Sequence, residues 1–166
     1  AIQAYGKRAR PTIAWADALG AKTGRRIAAR LVKGAYWDTE IKLTQERGLD
    51  GYPVYTRKAS TDLGYLVCAR RLIEAGDRIY PQFATHNAHT VAAVIELAGA
   101  RGDFEFQSLH GMGETLYRQI VGPQSPLRLP CRVYAPVGTH EDLLAYLVRR
   151  LLENGVNTSF VNRIAD

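Results

Sequence analysis

Short apolar runs alternate with helix-period segments along the whole chain. Residues 2–5 read as a strand, and a helical pattern follows over 12–22. A second strand is expected at 27–33 and a short helix near 39–47. Residues 61–74 carry a strong helical period, with Ser60 or Thr61 placed to cap it. Strands at 79–84, 104–109 and 132–135 are followed by helices over 88–97, 114–121 and 141–154 respectively. Thr139 and Asp142 have capping-box spacing at the start of the last helix, and Gly155 is positioned to end it. The result is five strand–helix units without a hairpin signal. Such alternation predicts an α/β fold with a parallel sheet and right-handed crossovers.

Two architectures fit that rhythm, an open doubly wound sheet and part of a (β/α)8 barrel. No G-x-G-x-x-G follows a strand, which argues against a dinucleotide-binding Rossmann unit. Polar residues instead collect at the C-terminal strand ends: Gln3, Arg30 and Lys33, Thr85 and His86, Gln107 and His110, then Tyr134. A barrel gathers those ends into one mouth, where the active sites of this fold sit. A closed barrel takes about 250 residues. At 166 residues the chain is expected to be the C-terminal part of one, residues 1–166 forming a fragment that lacks the first strands. Both ends look cut.

Composition narrows the function only by exclusion. No apolar run reaches the roughly 20 residues of a membrane helix, and no signal-peptide pattern is present. Cys68 in a helix and Cys131 at a strand start read as reduced core thiols, which suits a cytoplasmic protein. The formal charge of +6 invites a nucleic-acid reading, but the basic residues are spread from Lys7 to Arg163 without a dense run. No nucleic-acid partner is expected.

Charge within apolar surroundings is more informative. Arg149 and Arg150 sit side by side in LLAYLVRRLL, and neighbours on a helix point about 100° apart. Both guanidinium groups cannot share one solvent face, and Glu153 is the one acid within helical reach. The spare positive charge suits a carboxylate or phosphate held bidentately. The opposing reading has Arg149 paired with Glu153 and Arg150 solvated at the edge. A second dense stretch is RLVKGAYWD, from Arg30 to Asp38, where two cations, a glycine, two aromatics and an acid follow a strand. It suits a planar ligand with an anionic tail, or an ordinary strand-end turn.

THNAH, at 85–89, places His86 and His89 three apart, but zinc needs three or four ligands and neither cysteine lies close in sequence. Helix capping is the expected role there, and no metal is expected. HGMGET, from His110, reads as a tight turn because it lacks the Walker spacing and lysine.

Seven segments in this order, RLVKGAYWD, YPVYTRK, YPQFATHNAHT, HGMGE, YAPVGTHE, YLVRRLLENG and NTSFVNRIAD, closely resemble the proline dehydrogenase domains of the bacterial bifunctional proline utilization A family. The resemblance is weakest over residues 7–23. It implies a distorted (β/α)8 barrel that binds FAD and oxidises L-proline to 1-pyrroline-5-carboxylate, passing electrons to a membrane quinone. Arg149 and Arg150 would then hold the proline carboxylate, oriented by Glu153. Tyr36, Leu109 and Tyr134 would line the pyrrolidine ring, and Arg30 would lie beside the flavin. Gln3, Val32, Gly34, Trp37, Thr56, Lys58, Thr85, His86, Gln107, Ser159 and Phe160 would contact the cofactor. The resemblance also implies earlier barrel strands before Ala1 and an aldehyde dehydrogenase module beyond Asp166, in a cytoplasmic enzyme with peripheral membrane contact. Two alternatives stay open from the residues alone: another flavin barrel of the methylenetetrahydrofolate reductase kind, and a non-catalytic partial barrel.

Overall fold

The computed structural model describes residues 1–123 and 125–157, the stretch 152–157 as helix backbone. The elements run β1 (Ile2–Gln3), α1 (Ala9–Thr23), β2 (Ile27–Val32), α2 (Trp37–Glu46), α3 (Lys58–Glu74), β3 (Ile79–Ala84), α4 (Ala88–Ala98), β4 (Glu105–Leu109), α5 (Glu114–Arg118), β5 (Cys131–Tyr134) and α6 (His140–Asn157). The strands form one parallel sheet in the order β1-β2-β3-β4-β5. A doubly wound sheet must reverse its strand order to place helices on both faces. Here every crossover steps the same way, so right-handed connections put their helices on one face. This is the winding of a barrel wall.

Side-chain alternation divides that wall into two chemistries. Leu31, Ile79, Phe83 and Phe106 point to the helix side and are fully buried against Tyr65, Cys68 and Leu72 of α3 and Val91 and Val94 of α4. Phe83, Phe104 and Phe106 pack edge to face, with centroids 5.6 Å apart for Phe83–Phe104 and for Phe104–Phe106. The opposite face carries Arg30, Tyr80, Gln82, Glu105, Gln107, Arg132 and Tyr134. Register holds these residues together: Arg30 lies opposite Gln82, Gln82 opposite Glu105, Gln107 opposite Arg132, and Leu109 opposite Tyr134.

The helix ends depart from the expected caps in two places. α3 begins at Lys58, so Ser60 and Thr61 lie inside its first turn and their amides bond to the Arg57 carbonyl. A Lys58–Asp62 ion pair at 2.6 Å, one turn apart, supports this earlier start. α6 runs through Gly155 to Asn157. Glycine inside a helix costs about 1 kcal/mol but does not forbid it. The other capping signals hold: the Thr139 hydroxyl donates to Asp142 at 2.8 Å and accepts its amide at 3.4 Å, while Asn87 accepts the Thr90 amide at 2.9 Å. β1 is only two residues long, yet the Ala4 and Tyr5 amides continue its ladder to Val32 and Lys33.

Phe83 sits at the centre of the helix-side core with 0% exposure. Phe83→Ala should therefore cost about 3–5 kcal/mol, the range for removing a buried aromatic ring. Urea unfolding of the chain measures it; a loss below about 1 kcal/mol would mean that helices and sheet do not share one core.

Candidate functional site

The mouth is built by groups that reach across the polar face. Arg30 on β2 and Tyr134 on β5 are separated by three interstrand steps, about 14 Å along a flat sheet at the usual spacing. Their side chains nevertheless meet, with the guanidinium carbon 4.3 Å from the ring centroid. The sheet is thus concave on this side, and the two side chains bridge the chord. Arg30 Nε is buried there without a hydrogen-bond partner among the described residues. A buried guanidinium N–H without a partner is costly, so the position asks for an acceptor.

α6 brings the second pair of cations to the same end. The Arg149 guanidinium lies 5.8 Å from the ring centroid of Tyr36, which stands just before α2. A cation–π contact at this range is electrostatic and engages none of the guanidinium N–H groups as conventional hydrogen-bond donors. Arg150 packs over Tyr146, one turn earlier, at 5.3 Å. Its charge also reaches His86, whose imidazole is held below its ordinary range by burial first and by Arg150 second. His86 Nε2 accepts the Leu109 amide at 3.0 Å, which places the ring proton of the neutral form on Nδ1. Leu109, Tyr134, His86, Arg150 and Arg30 therefore belong to one neighbourhood.

The segment after β2 forms a second cluster. Gly34 has φ of 131°, and an added Cβ would run into the Tyr5 ring. Glycine is required there for both reasons. Trp37 donates its indole N–H to the Tyr55 carbonyl at 2.8 Å, and the Tyr55 amide donates to Tyr5. Asp62 bridges Lys33 at 2.7 Å and Lys58 at 2.6 Å. Burial alone would raise the Asp62 carboxyl, but hydrogen bonds from the two lysines outweigh it and hold it below its usual value. Two ammonium groups sharing one carboxylate leave a net positive charge beside exposed Thr56, suited to an anion.

The remaining expected residues divide unevenly. Gln3 and Val32 pair in register at the β1–β2 ends. Thr85 is buried and already engaged, its hydroxyl accepting the Asn87 amide and its carbonyl accepting the Tyr117 hydroxyl. Gln107 donates its amide to Glu105 at 2.8 Å. The side chain of Glu153, and Ser159 and Phe160 altogether, lie outside the described residues. Among the described residues no three His, Cys, Asp or Glu side chains gather to hold a metal, and no helix is long and apolar enough to cross a membrane.

Three contributors were not foreseen. Glu105 is 4% exposed on the polar face, where it gathers Arg132, Gln82, Gln107 and Tyr80. Its position between Phe104 and Phe106, with Gln107 beyond, is an alternation that places an acid on the polar face. Asp62 and Tyr5 had no such signal, since their roles arise from segments 29 residues apart in both cases, Lys33 to Asp62 and Tyr5 to Gly34.

The family model described as proline dehydrogenase matches residues 1–163. The bifunctional protein PutA of Klebsiella aerogenes is 63% identical over 99% of this chain and 13% of its own length. That of Rhizobium meliloti is 57% identical over 99% of this chain and 14% of its length. A crystal structure of a Bradyrhizobium japonicum proline utilization A variant superposes with a TM-score of 0.87 at 62% identity, over 99% of this chain and 17% of that one. A proline utilization A structure from Bdellovibrio bacteriovorus, inactivated by N-propargylglycine, gives 0.84 at 41% identity over 92% of this chain and 16% of that one. The chain thus spans less than a fifth of these relatives.

The His86 environment yields a pH prediction. With the folded-state value depressed below the ordinary 6.5, the folded form binds fewer protons than the unfolded one between the two values. The stability linked to neutral His86 is present above about 6.5 and is lost as pH falls through that window toward the folded value. His86→Gln keeps an acceptor for the Leu109 amide without titrating. Thermal melts between roughly pH 7.5 and 5.5 should show a smaller loss for the variant than for wild type; parallel profiles would count against a neutral, buried His86.

Proposed function

The chain belongs to the proline dehydrogenase family, and on that premise we propose that the complete polypeptide oxidises L-proline to 1-pyrroline-5-carboxylate with FAD. The observation that carries this reading is the crossing of the mouth by Arg30–Tyr134, with α6 bringing Arg149 over Tyr36 beside it. It joins a cationic pair suited to a small carboxylate to an aromatic lining suited to a saturated ring.

The residues present fit FAD on their own chemistry. Arg30 Nε is a buried donor facing the mouth without a partner among the described residues. Neutral His86 offers Nδ1–H, and Lys33 and Lys58 together exceed the charge of Asp62. Arg30, His86, Trp37, Thr56, Lys58 and Gln107 would hold the cofactor, with Gln3, Val32, Gly34 and Thr85 shaping the backbone around it and Ser159 and Phe160 completing the set. When bound, FAD supplies the hydride acceptor for the proline carbon next to nitrogen, and loss of the nitrogen proton leaves the C=N bond of the product.

The chain's own side chains bind and orient. Arg149 and Arg150 hold the carboxylate, Glu153 keeps them in place, and Tyr36, Leu109 and Tyr134 pack the ring so that one C–H faces the cofactor. A desolvated site strengthens each of these charge-assisted bonds. We assign the electrons to a membrane quinone and the next oxidation to a downstream aldehyde dehydrogenase module, in keeping with relatives named bifunctional that extend far past this segment. Cytoplasmic placement with peripheral membrane contact is part of the same proposal, in keeping with a quinone acceptor and with free thiols at Cys68 and Cys131.

Replacing Arg149 or Arg150 with methionine in the complete polypeptide tests the assignment. Each charge-assisted bond is worth about 1.5–3 kcal/mol. KM for proline should therefore rise roughly 10–100-fold at about 1.4 kcal/mol per decade, with FAD content near normal. Pyrrolidine, which lacks the carboxylate, should be a poor substrate whose rate hardly changes. Arg→Lys should rescue only partly, since a point charge loses the bidentate geometry. Parallel losses on both substrates, with a fall in thermal stability, would mean that the arginines are structural.

A further inference from the structure

The polar face of the sheet is organised around one carboxylate. Glu105 Oε1 accepts from Arg132 Nε at 2.9 Å, Gln82 Nε2 at 2.9 Å and Gln107 Nε2 at 2.8 Å. Oε2 accepts from Arg132 Nη2 at 3.0 Å and from the Tyr80 hydroxyl at 3.4 Å. These donors come from β3, β4 and β5, so a single side chain ties three strands together on the face opposite the helices. Hydrogen bonds from Arg132 outweigh burial and hold the carboxyl below its usual value, so the group is ionised at neutral pH.

An ionised carboxylate can only accept. A glutamine amide has one accepting and one donating end of nearly the same shape, so its surroundings decide which end points where. Beside Glu105 the ambiguity disappears. Gln82 and Gln107 must each turn the NH2 toward the carboxylate, and each carbonyl oxygen must point away from it. Were residue 105 an amide, either orientation of its neighbours would be satisfied. Gln107 also lies two residues nearer the mouth than Glu105 and is opposite Ala84, immediately before Thr85 and His86.

We propose that Glu105 is a positioning residue that fixes the amide orientation of Gln107, so that Gln107 presents a hydrogen-bond acceptor to an N–H or O–H donor of the bound cofactor. This rests on the flavin reading above and deepens it. Glu105 need not touch the cofactor. Its influence passes through Gln107, while Arg132, largely exposed at the β5 edge, keeps Glu105 charged.

A double-mutant cycle on the complete polypeptide, stripped of cofactor and titrated with FAD, tests the proposal. Gln107→Met removes the acceptor, and Glu105→Gln removes its orientation. Each should weaken FAD binding about tenfold, and the double variant should be about as weak as either single variant, because both changes remove the same contact. Glu105→Asp, still acceptor-only, should recover most of the affinity. A merely structural Glu105 would lower the melting temperature of the cofactor-free protein while its effect on FAD affinity was absent or multiplied independently with that of Gln107→Met; either result overturns the proposal. If Glu105→Gln does not fold, Glu105→Gln combined with Arg132→Met removes both charges and avoids a stranded guanidinium, and the same cycle is read from it. Wild-type protein that binds no FAD would contradict the flavin reading itself, whereas FAD binding without coupling contradicts only the role of Glu105.

Discussion

One constraint governs the molecule: its parallel strands are all wound in the same direction. Right-handed crossovers with sequential strand order leave the helices on one face and keep the other face free of them. The helix face takes the large apolar side chains and forms the core. The other face becomes concave and polar, and Arg30 can touch Tyr134 across it. Had the strand order reversed, a helix would cover Glu105, Gln107 and Arg30, and the charges would be buried against apolar packing at prohibitive cost.

Electrostatics then decides how that polar face is kept in order. Buried charge is tolerated when it is paired and fully hydrogen-bonded. Glu105 meets this condition through donors from three strands. At the β2 end, partly exposed Asp62 pairs with both Lys33 and Lys58. At the mouth itself, Arg149 rests on an aromatic face and the buried Nε of Arg30 lacks a hydrogen bond among the described residues. Ordered, compensated charge beneath and arginine donors above is an arrangement suited to anionic ligands.

Much of this was legible in the sequence because it is periodic or local. The alternation in IYPQFA separates Ile79, Pro81 and Phe83 from Tyr80, Gln82 and Ala84, as the structure does. The order of strands and helices, and the chemistry gathered at strand ends, followed from the same patterning. The adjacency of Arg149 and Arg150 was a local signal too, but their partners were not, since Tyr36 lies more than a hundred residues away. Helix ends were the weakest part: the Lys58–Asp62 pair extends α3 backward past two good capping residues, and Gly155 does not interrupt α6. Glu105 shows the general difficulty. A sequence shows an acid on a strand, but only the register shows that Arg132, Gln82 and Gln107 converge on it.

If this mouth brings a proline ring to a flavin through its carboxylate, L-proline must reduce the bound cofactor. Mixing FAD-loaded complete polypeptide with L-proline in the absence of oxygen tests it most directly, because the flavin's visible absorbance disappears when it takes up a hydride. Bleaching by L-proline should be rapid and saturable, and it should be suppressed competitively by a saturated five-membered ring acid whose ring lacks the nitrogen and so cannot be oxidised to an imine. Flavin that stays yellow with L-proline, yet is bleached by a reduced nicotinamide or another donor, would contradict it.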